Sequence, residues 1–312
     1  MSRLQRPKIL VIGELNVDIV ATGLRTVPEM GAEILADKCE LTLGSASAIF
    51  AAGMAKLGHR VTFFSHVGQD YLGDFCLRAL KQSGVSTRHV ARKVEEKTGV
   101  TIALSSIRDR ALVTFPGAIS TFTADAVDRA LLNRHQHLHL TSYYLQQGLQ
   151  PSFADLFREV KSHGLTTSFD PNSDPSGRWS KKINRVLRHT DVLFVNEREA
   201  SKLTGMPAAK SAAKSLGALV PCAVVKRGRR GAIAIVRNQV FTDSGFAIEA
   251  RDTTGSGDSF DAGFISAYVS GAPISECLRI GNACGALSAL RVGGTAGQPT
   301  QQELDVFLRS AT

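Results

Sequence analysis

The chain has little of what a secreted, membrane-spanning or nucleic-acid-coating protein needs. Its five cysteines, Cys39, Cys76, Cys222, Cys277 and Cys284, include no CxxC pair, which leaves reduced, mostly buried thiols as the expectation. No window approaches the ~18 consecutive apolar residues that span a bilayer. Met1–Lys8 has no apolar segment and Ile9–Ile12 is too short for a signal-peptide core, so a cytoplasmic protein without a membrane partner is expected. The string GxxxxGK[ST] is missing, which excludes a P-loop kinase, and Gly13 does not open a GxGxxG dinucleotide turn. Aromatic residues make up only 6%, which argues against a stacked nucleobase as substrate. The formal net charge is +9, yet the basic residues are scattered without a run of five. Anionic small molecules therefore account for the charge better than nucleic acid does.

What is present suits a large folded core. Of 312 residues, 43% are hydrophobic and 21% charged, enough for one large α/β domain or two medium ones. Short apolar runs at Lys8–Gly13, Val61–His66, His137–Leu140, Leu165–Phe169, Val192–Val195 and Ala223–Lys226 read as buried strands. Helical patterns lie between them, at Ala46–Leu57, Leu72–Gln82, Pro151–Ser162, Lys181–Leu187 and Glu197–Leu203, with a later one at Ser275–Leu290. The alternation predicts a mostly parallel central sheet flanked by helices, with sites at the carboxyl ends of its strands. Two stretches break it. Ile19–Thr42 has no helical pattern, and Thr98–Phe115 reads as a hairpin of Thr101–Ser106 and Ala111–Phe115 turned at Ile107–Arg110. Together they predict a small β-rich element at the sheet's edge.

The most informative string is Asp252-Thr253-Thr254-Gly255-Ser256-Gly257-Asp258. It follows Phe246–Ala250, whose alternation predicts a strand, and precedes a helix with Phe260, Phe264, Ala267 and Tyr268 on one face. Small residues between strand and helix leave backbone N–H groups free at a helix N-terminus, where anions bind. Asp258, in the first turn, suits a base that takes a proton from an attacking hydroxyl. The plainer alternative is an N-capping carboxylate after a glycine turn.

With the following Ala262-Gly263-Phe264, this string resembles the signature of the ribokinase-like (PfkB-type) carbohydrate kinases, and weaker motifs extend the resemblance from about Ile9 to Phe307. The resemblance implies a single three-layer α/β domain over residues 1–312, with β-lid segments at about 14–43 and 98–116. It implies ATP-dependent phosphorylation of a sugar-like hydroxyl, with Asp258 as general base and the amides of Gly255, Ser256 and Gly257 as anion hole. It further implies Mg²⁺ and a homodimer paired through the lid.

Other motifs fall into place beside it. Asn16 and Asp18, two apart after the first strand, face the same way in an extended chain and can orient sugar hydroxyls. Gly44 and Ser45 resemble the family's Gly-Gly-x-x-x-Asn substrate segment with two departures: Ser45 replaces the second Gly, and Ile49 stands where an Asn commonly contacts sugar. These departures keep a non-catalytic sugar- or nucleotide-sensing protein as the alternative; ribose, fructose, a sugar acid and a nucleoside all stay open as acceptors. Asp170-Pro171-Asn172 resembles an Asp-x-Asn stretch of sugar kinases, and nearby Arg178 either meets a substrate anion or is a solvated loop arginine. Asn196 and Glu199 resemble the family's Asn-x-x-Glu, Glu199 ordering Mg²⁺ through water, although Asn196 can equally cap a helix. Lys226, Gly228 and Gly231 resemble the family's nucleotide loop, which implies that Lys226 meets a phosphate; Asn282 falls where family members approach adenine. Asp252 and Thr254 match the family's monovalent-cation site, for potassium. His135, His137 and His139, two apart, hint at zinc but read better as a polar strand edge.

Overall fold

A computed structural model describes residues 6–26, 28–106 and 110–311. Its strands are β1 (Lys8–Ile12), β2 (Asn16–Leu24), β3 (Lys38–Leu43), β4 (Arg60–Gly68), β5 (Ser86–Lys93), β6 (Gly99–Ser106) and β7 (Arg110–Phe115). They continue with β8 (His137–Thr141), β9 (Thr166–Asp170), β10 (Val192–Asn196), β11 (Cys222–Lys226), β12 (Ala232–Val236) and β13 (Gln239–Asp243). The helices are α1 (Ala46–Lys56), α2 (Tyr71–Gln82), α3 (Phe153–Ser162), α4 (Asn184–Leu187), α5 (Glu197–Thr204), α6 (Ala209–Gly217), α7 (Ser256–Val269), α8 (Ile274–Ser288) and α9 (Gln301–Ser310).

Nine strands form one sheet in the order β13-β12-β11-β10-β9-β8-β1-β4-β5. Neighbours are parallel except β11 with β12 and β12 with β13. The central strands are continuous apolar runs because both faces are covered. Alternate residues feed opposite cores: Leu10 and Ile12 join α3 and α6 side chains on one face, while Ile9 and Val11 join those of α1, α7 and α8 on the other. The expected βαβ layering is what forms.

The second sheet, β3-β2-β6-β7, is the expected lid. β2 and β6 run parallel, and each carries an antiparallel outer partner. The hairpin of β6 and β7 is as expected, though 107–109 of its turn lie outside the described residues. The pleat splits the lid's chemistry. Asn16, Asp18, Thr101, Ala103, Leu112 and Thr114 line a cavity; on the opposite face Leu41, Ile102, Val113 and Phe115 are exposed.

Two expectations are corrected. Phe246–Ala250 is not a strand; the sheet's last strand is β13, just before it. Its alternation is nevertheless real, since Phe246, Ile248 and Ala250 line the cavity wall, so period two arises there from one wet and one packed side without ladder bonds. The histidines are not a polar edge either. β8 lies between β1 and β9, and His137 and His139 are fully buried. Ser168 Oγ stands 2.7 Å from both His137 Nε2 and His139 Nδ1, and His139 stacks on Phe50 at 3.6 Å. Burial lowers the His137 pKa to about 3, so the ring is neutral and its nitrogens serve hydroxyls of β9.

Candidate active site

One cavity of about 1180 Å³ opens at the carboxyl ends of β1, β9, β10 and β11, beneath the lid. Asp258 lines this cavity. Gly255, with φ of 68°, is the N-cap of α7 and supplies no side-chain cap. Ser256 N–H donates to Thr253 O at 3.2 Å; the Gly257 and Asp258 amides find no acceptor among the described residues. Open donors at the start of a 14-residue helix therefore face the cavity, the arrangement that binds a phosphate. Burial raises the Asp258 pKa to about 7 against the pull of the Lys226 ammonium, with Asp170, Glu14 and Asp18 adding to the rise. A carboxylate with that proton affinity is matched to base catalysis near neutral pH.

The lid side holds the groups expected for substrate. Asn16 Nδ2 lies 3.3 Å from Asp18 Oδ1 and 3.2 Å from Thr101 Oγ1. Gly44 makes room for both: a Cβ there would come within 2.1 Å of Asp18 Oδ1 and 2.9 Å of Asn16 Nδ2. Ser45 caps α1, its Oγ accepting from Ala48 N–H at 3.0 Å and donating to Glu14 O at 2.5 Å. Ile49 lines the cavity but is 3% exposed; its Cδ1 lies under the Gly255 turn, 3.1 Å from where a Cβ on Gly255 would sit. Both departures from the family segment thus have structural roles, Ser45 as a helix cap and Ile49 in packing. Sequence reasoning missed Glu14, a buried carboxylate in the cavity wall. It accepts from Ser47 N–H at 3.1 Å and from the hydroxyls of Ser47 at 2.7 Å and Ser142 at 2.8 Å. It also missed Tyr144, which lines the cavity with a hydroxyl unpartnered among the described residues. Arg178 is exposed and outside the cavity lining.

At the other end, Asn196 and Glu199 form a reciprocal capping box at the start of α5. Glu199 still lines the cavity, and burial, with the Asp170 charge, pushes its pKa up to about 7. Gly228 and Gly231 bound a turn beside it, both at positive φ. Asn282 Nδ2 donates to Asp243 Oδ1 at 2.6 Å and lines the wall with Phe246 and Ile248. Asp252 accepts from Thr254 N–H and Oγ–H at 2.9 and 2.7 Å and from Gly293 N–H at 2.9 Å, so its carboxylate ties two loops together.

Lys226 is where the structure departs most from a phosphate-facing lysine. Its Nζ lies 2.6 Å from Asp170 Oδ2, 3.0 Å from both Asp261 oxygens and 3.4 Å from Gly257 O. Burial opposes the charge, but Asp170, Asp261 and Asp258 more than offset it and raise the pKa. Among the described residues, the cluster of metal-type donors is Asp170, Asp258 and Asp261, and the Lys226 ammonium already occupies it.

Residues 6–301 match the model of the pfkB family carbohydrate kinases. The chain belongs to that family. This kinase is 31% identical over 286 residues to 2-dehydro-3-deoxygluconokinase of Bacillus subtilis, covering 85% of this chain and 86% of that one. It is 26% identical over 315 residues to ribokinase of Haemophilus influenzae, covering 98% and 100%. Ribokinase of Arabidopsis thaliana, solved with ribose and ATP, superposes with a TM-score of 0.84 at 26% identity, over 97% of this chain and 99% of that one. The three-layer sheet with its separate lid is the ribokinase-like fold expected, and the protein is a carbohydrate kinase.

Proposed function

We propose that the protein transfers the γ-phosphoryl group of ATP to a hydroxyl of an uncharged sugar. One observation carries this reading: Asp258, with a pKa raised to about 7, stands beside open amides at the N-terminus of α7, where the two ends of one cavity meet. Asp258 takes the proton of the acceptor hydroxyl as that oxygen attacks phosphorus. The Gly257 and Asp258 amides present N–H donors to the transferring group, in fixed positions that need no reorganisation, whereas the Ser256 N–H expected beside them is held by Thr253 O. Phe246, Ile248 and Ala286 offer an apolar slot for adenine, beside Asn282. Glu199, bound through Asn196 N–H and Ser173 Oγ, is the acid that would order a hydrated Mg²⁺, and that ion neutralises phosphate charge when bound. A potassium ion at Asp252 and Thr254 would compete with the Thr254 and Gly293 hydrogen bonds to that carboxylate, so no step is assigned to it.

The acceptor class follows from charge. Of the cations that line the cavity, Lys226 is paired with Asp170 and Asp261, and Arg198 and Arg229 belong to α5 and to the Gly228–Gly231 turn, while Glu14, Asp18 and Asp258 are acidic. Such a wall accepts hydroxyl donors and repels carboxylate or phosphate groups. ADP release measured across neutral pentoses and hexoses, sugar acids, sugar phosphates and nucleosides tests this. A neutral sugar is expected to exceed every anionic acceptor in kcat/KM by roughly 10-fold or more, since one like-charge contact costs over a kcal/mol. Preference for a sugar acid or phosphate would overturn the acceptor class, and ligand-induced stabilisation without ADP from any acceptor would favour sensing.

The same reading makes the lid a dimer interface. Leu41, Ile102, Val113 and Phe115 share its outer face at 37, 39, 59 and 54% exposure, an apolar patch of the kind that covers itself with a second copy. A dimer mass in solution at micromolar concentration is expected, with Val113→Glu shifting it to monomer; a monomeric wild type would refute the pairing. Four of the five cysteines are buried free thiols, consistent with a cytoplasmic setting, and no described helix is long and apolar enough to cross a membrane.

A further inference from the structure

We propose that Lys226 and Asp261 are positioning residues, a buried charge relay that fixes the location and ionisation of the Asp258 carboxylate rather than contacting nucleotide. The inference rests on the reading of Asp258 as base. Asp261 lies one helical turn after Asp258 on α7, so the two side chains share a face, and their oxygens fall with that of Asp170 within 4.8 Å of one another. Three carboxylates this close repel strongly, and Lys226 is the cation among them. It arrives from the end of β11 and holds Asp170, at the end of β9, and Asp261 at 2.6 and 3.0 Å. It also lies 3.4 Å from the Gly257 carbonyl, in the turn whose amides face the cavity. One ammonium thus ties the base's helix, the anion turn and two strand ends together.

The groups facing Asp258 act in opposite directions. Lys226 favours its ionised form and Asp170, Glu14 and Asp18 disfavour it; Asp261, with an oxygen within 4.8 Å, adds a like charge whenever it is ionised. Removing the cation should therefore demand a higher pH for activity, and removing the Asp261 charge a lower one. A merely structural role would scale activity equally at every pH.

The test is kcat/KM from pH 5.5 to 9 with ATP and D-ribose or D-fructose, for wild type, Lys226→Met, Lys226→Arg, Asp261→Asn and Asp258→Asn. Lys226→Met should move the acidic limb up by about one pH unit or more, a ~10-fold loss below the limb. Asp261→Asn should move it down by roughly half a unit, a ~3-fold gain at its foot, and Lys226→Arg, which keeps the charge, should leave it nearer wild type. Asp261→Asn preserves side-chain volume, so it decides the matter even if Lys226→Met folds poorly. Acidic limbs unchanged in the Lys226 and Asp261 variants, with Asp258→Asn inactive, would overturn the relay alone. A fully active Asp258→Asn would instead overturn the base assignment on which it rests.

Discussion

Replacing Asp258 with asparagine should lower kcat by roughly 10² to 10⁴, the range lost when a positioned general base is removed. The substitution keeps the side chain's volume, and Lys226 keeps its partners Asp170 and Asp261, so the helix should stay where it is. ATP affinity should be unchanged or tighter, because one negative charge leaves the neighbourhood of the terminal phosphate. The pH profile should change with it. In wild type, Asp258 with a pKa of about 7 must lose its proton before it can accept one, so kcat/KM should rise through neutrality and level off above it. The asparagine variant has no such proton to lose, and its residual rate should be flat through that window. Steady-state turnover with calorimetric ATP binding checks both halves. An asparagine enzyme with wild-type turnover would dismiss the carboxylate as base. Lost turnover with intact binding of sugar and ATP would separate catalysis from a purely sensing site.

Features set by local sequence were legible; features set by strand order were not. The α7 turn was readable because it depends on small residues next to each other, and Asn16 and Asp18 because period two needs only an extended chain. Central strands showed as apolar runs, whereas β5 and β13, with no buried residue in either, carry no such signal. The Lys226 contacts could not be seen. Its partners lie 56 and 35 residues away, and only the neighbouring of β9, β10 and β11 with α7 packed across them brings the three together. A lysine at a strand end beside glycines reads locally as a phosphate ligand; burial among carboxylates turns it inward. Glu14 was overlooked for the same reason, because the hydroxyls that hold it come from α1 and from the end of β8 and its following turn. Phe246–Ala250 shows the converse error: alternation records that a chain has two unlike sides, not that it has a hydrogen-bonded neighbour.

Gly255→Ala should cost nearly as much activity as loss of the base, by a different route. At φ of 68° an L-residue meets its own carbonyl, a cost of roughly 1–2 kcal/mol. The added Cβ would also stand 2.7 Å from Gly294 Cα and 3.0 Å from Gly294 O. Those are backbone atoms that cannot rotate away, and Ile49 packs beneath the same turn. The turn must shift, and with it the Gly257 and Asp258 amides that would meet the γ-phosphoryl group. Loss of one such donor lowers kcat by about 10² to 10³, and displacement of the turn affects both. Gly205, which ends α5, is the matched control: its φ is 73° and a Cβ there meets nothing within 4 Å. Gly205→Ala should show the dihedral cost as a lowered Tm with turnover within about two-fold of wild type, since it leaves those amides untouched, whereas Gly255→Ala should lose both. If Gly255→Ala kept its turnover, the amides of that turn would have no part in phosphoryl transfer, whatever Asp258 does.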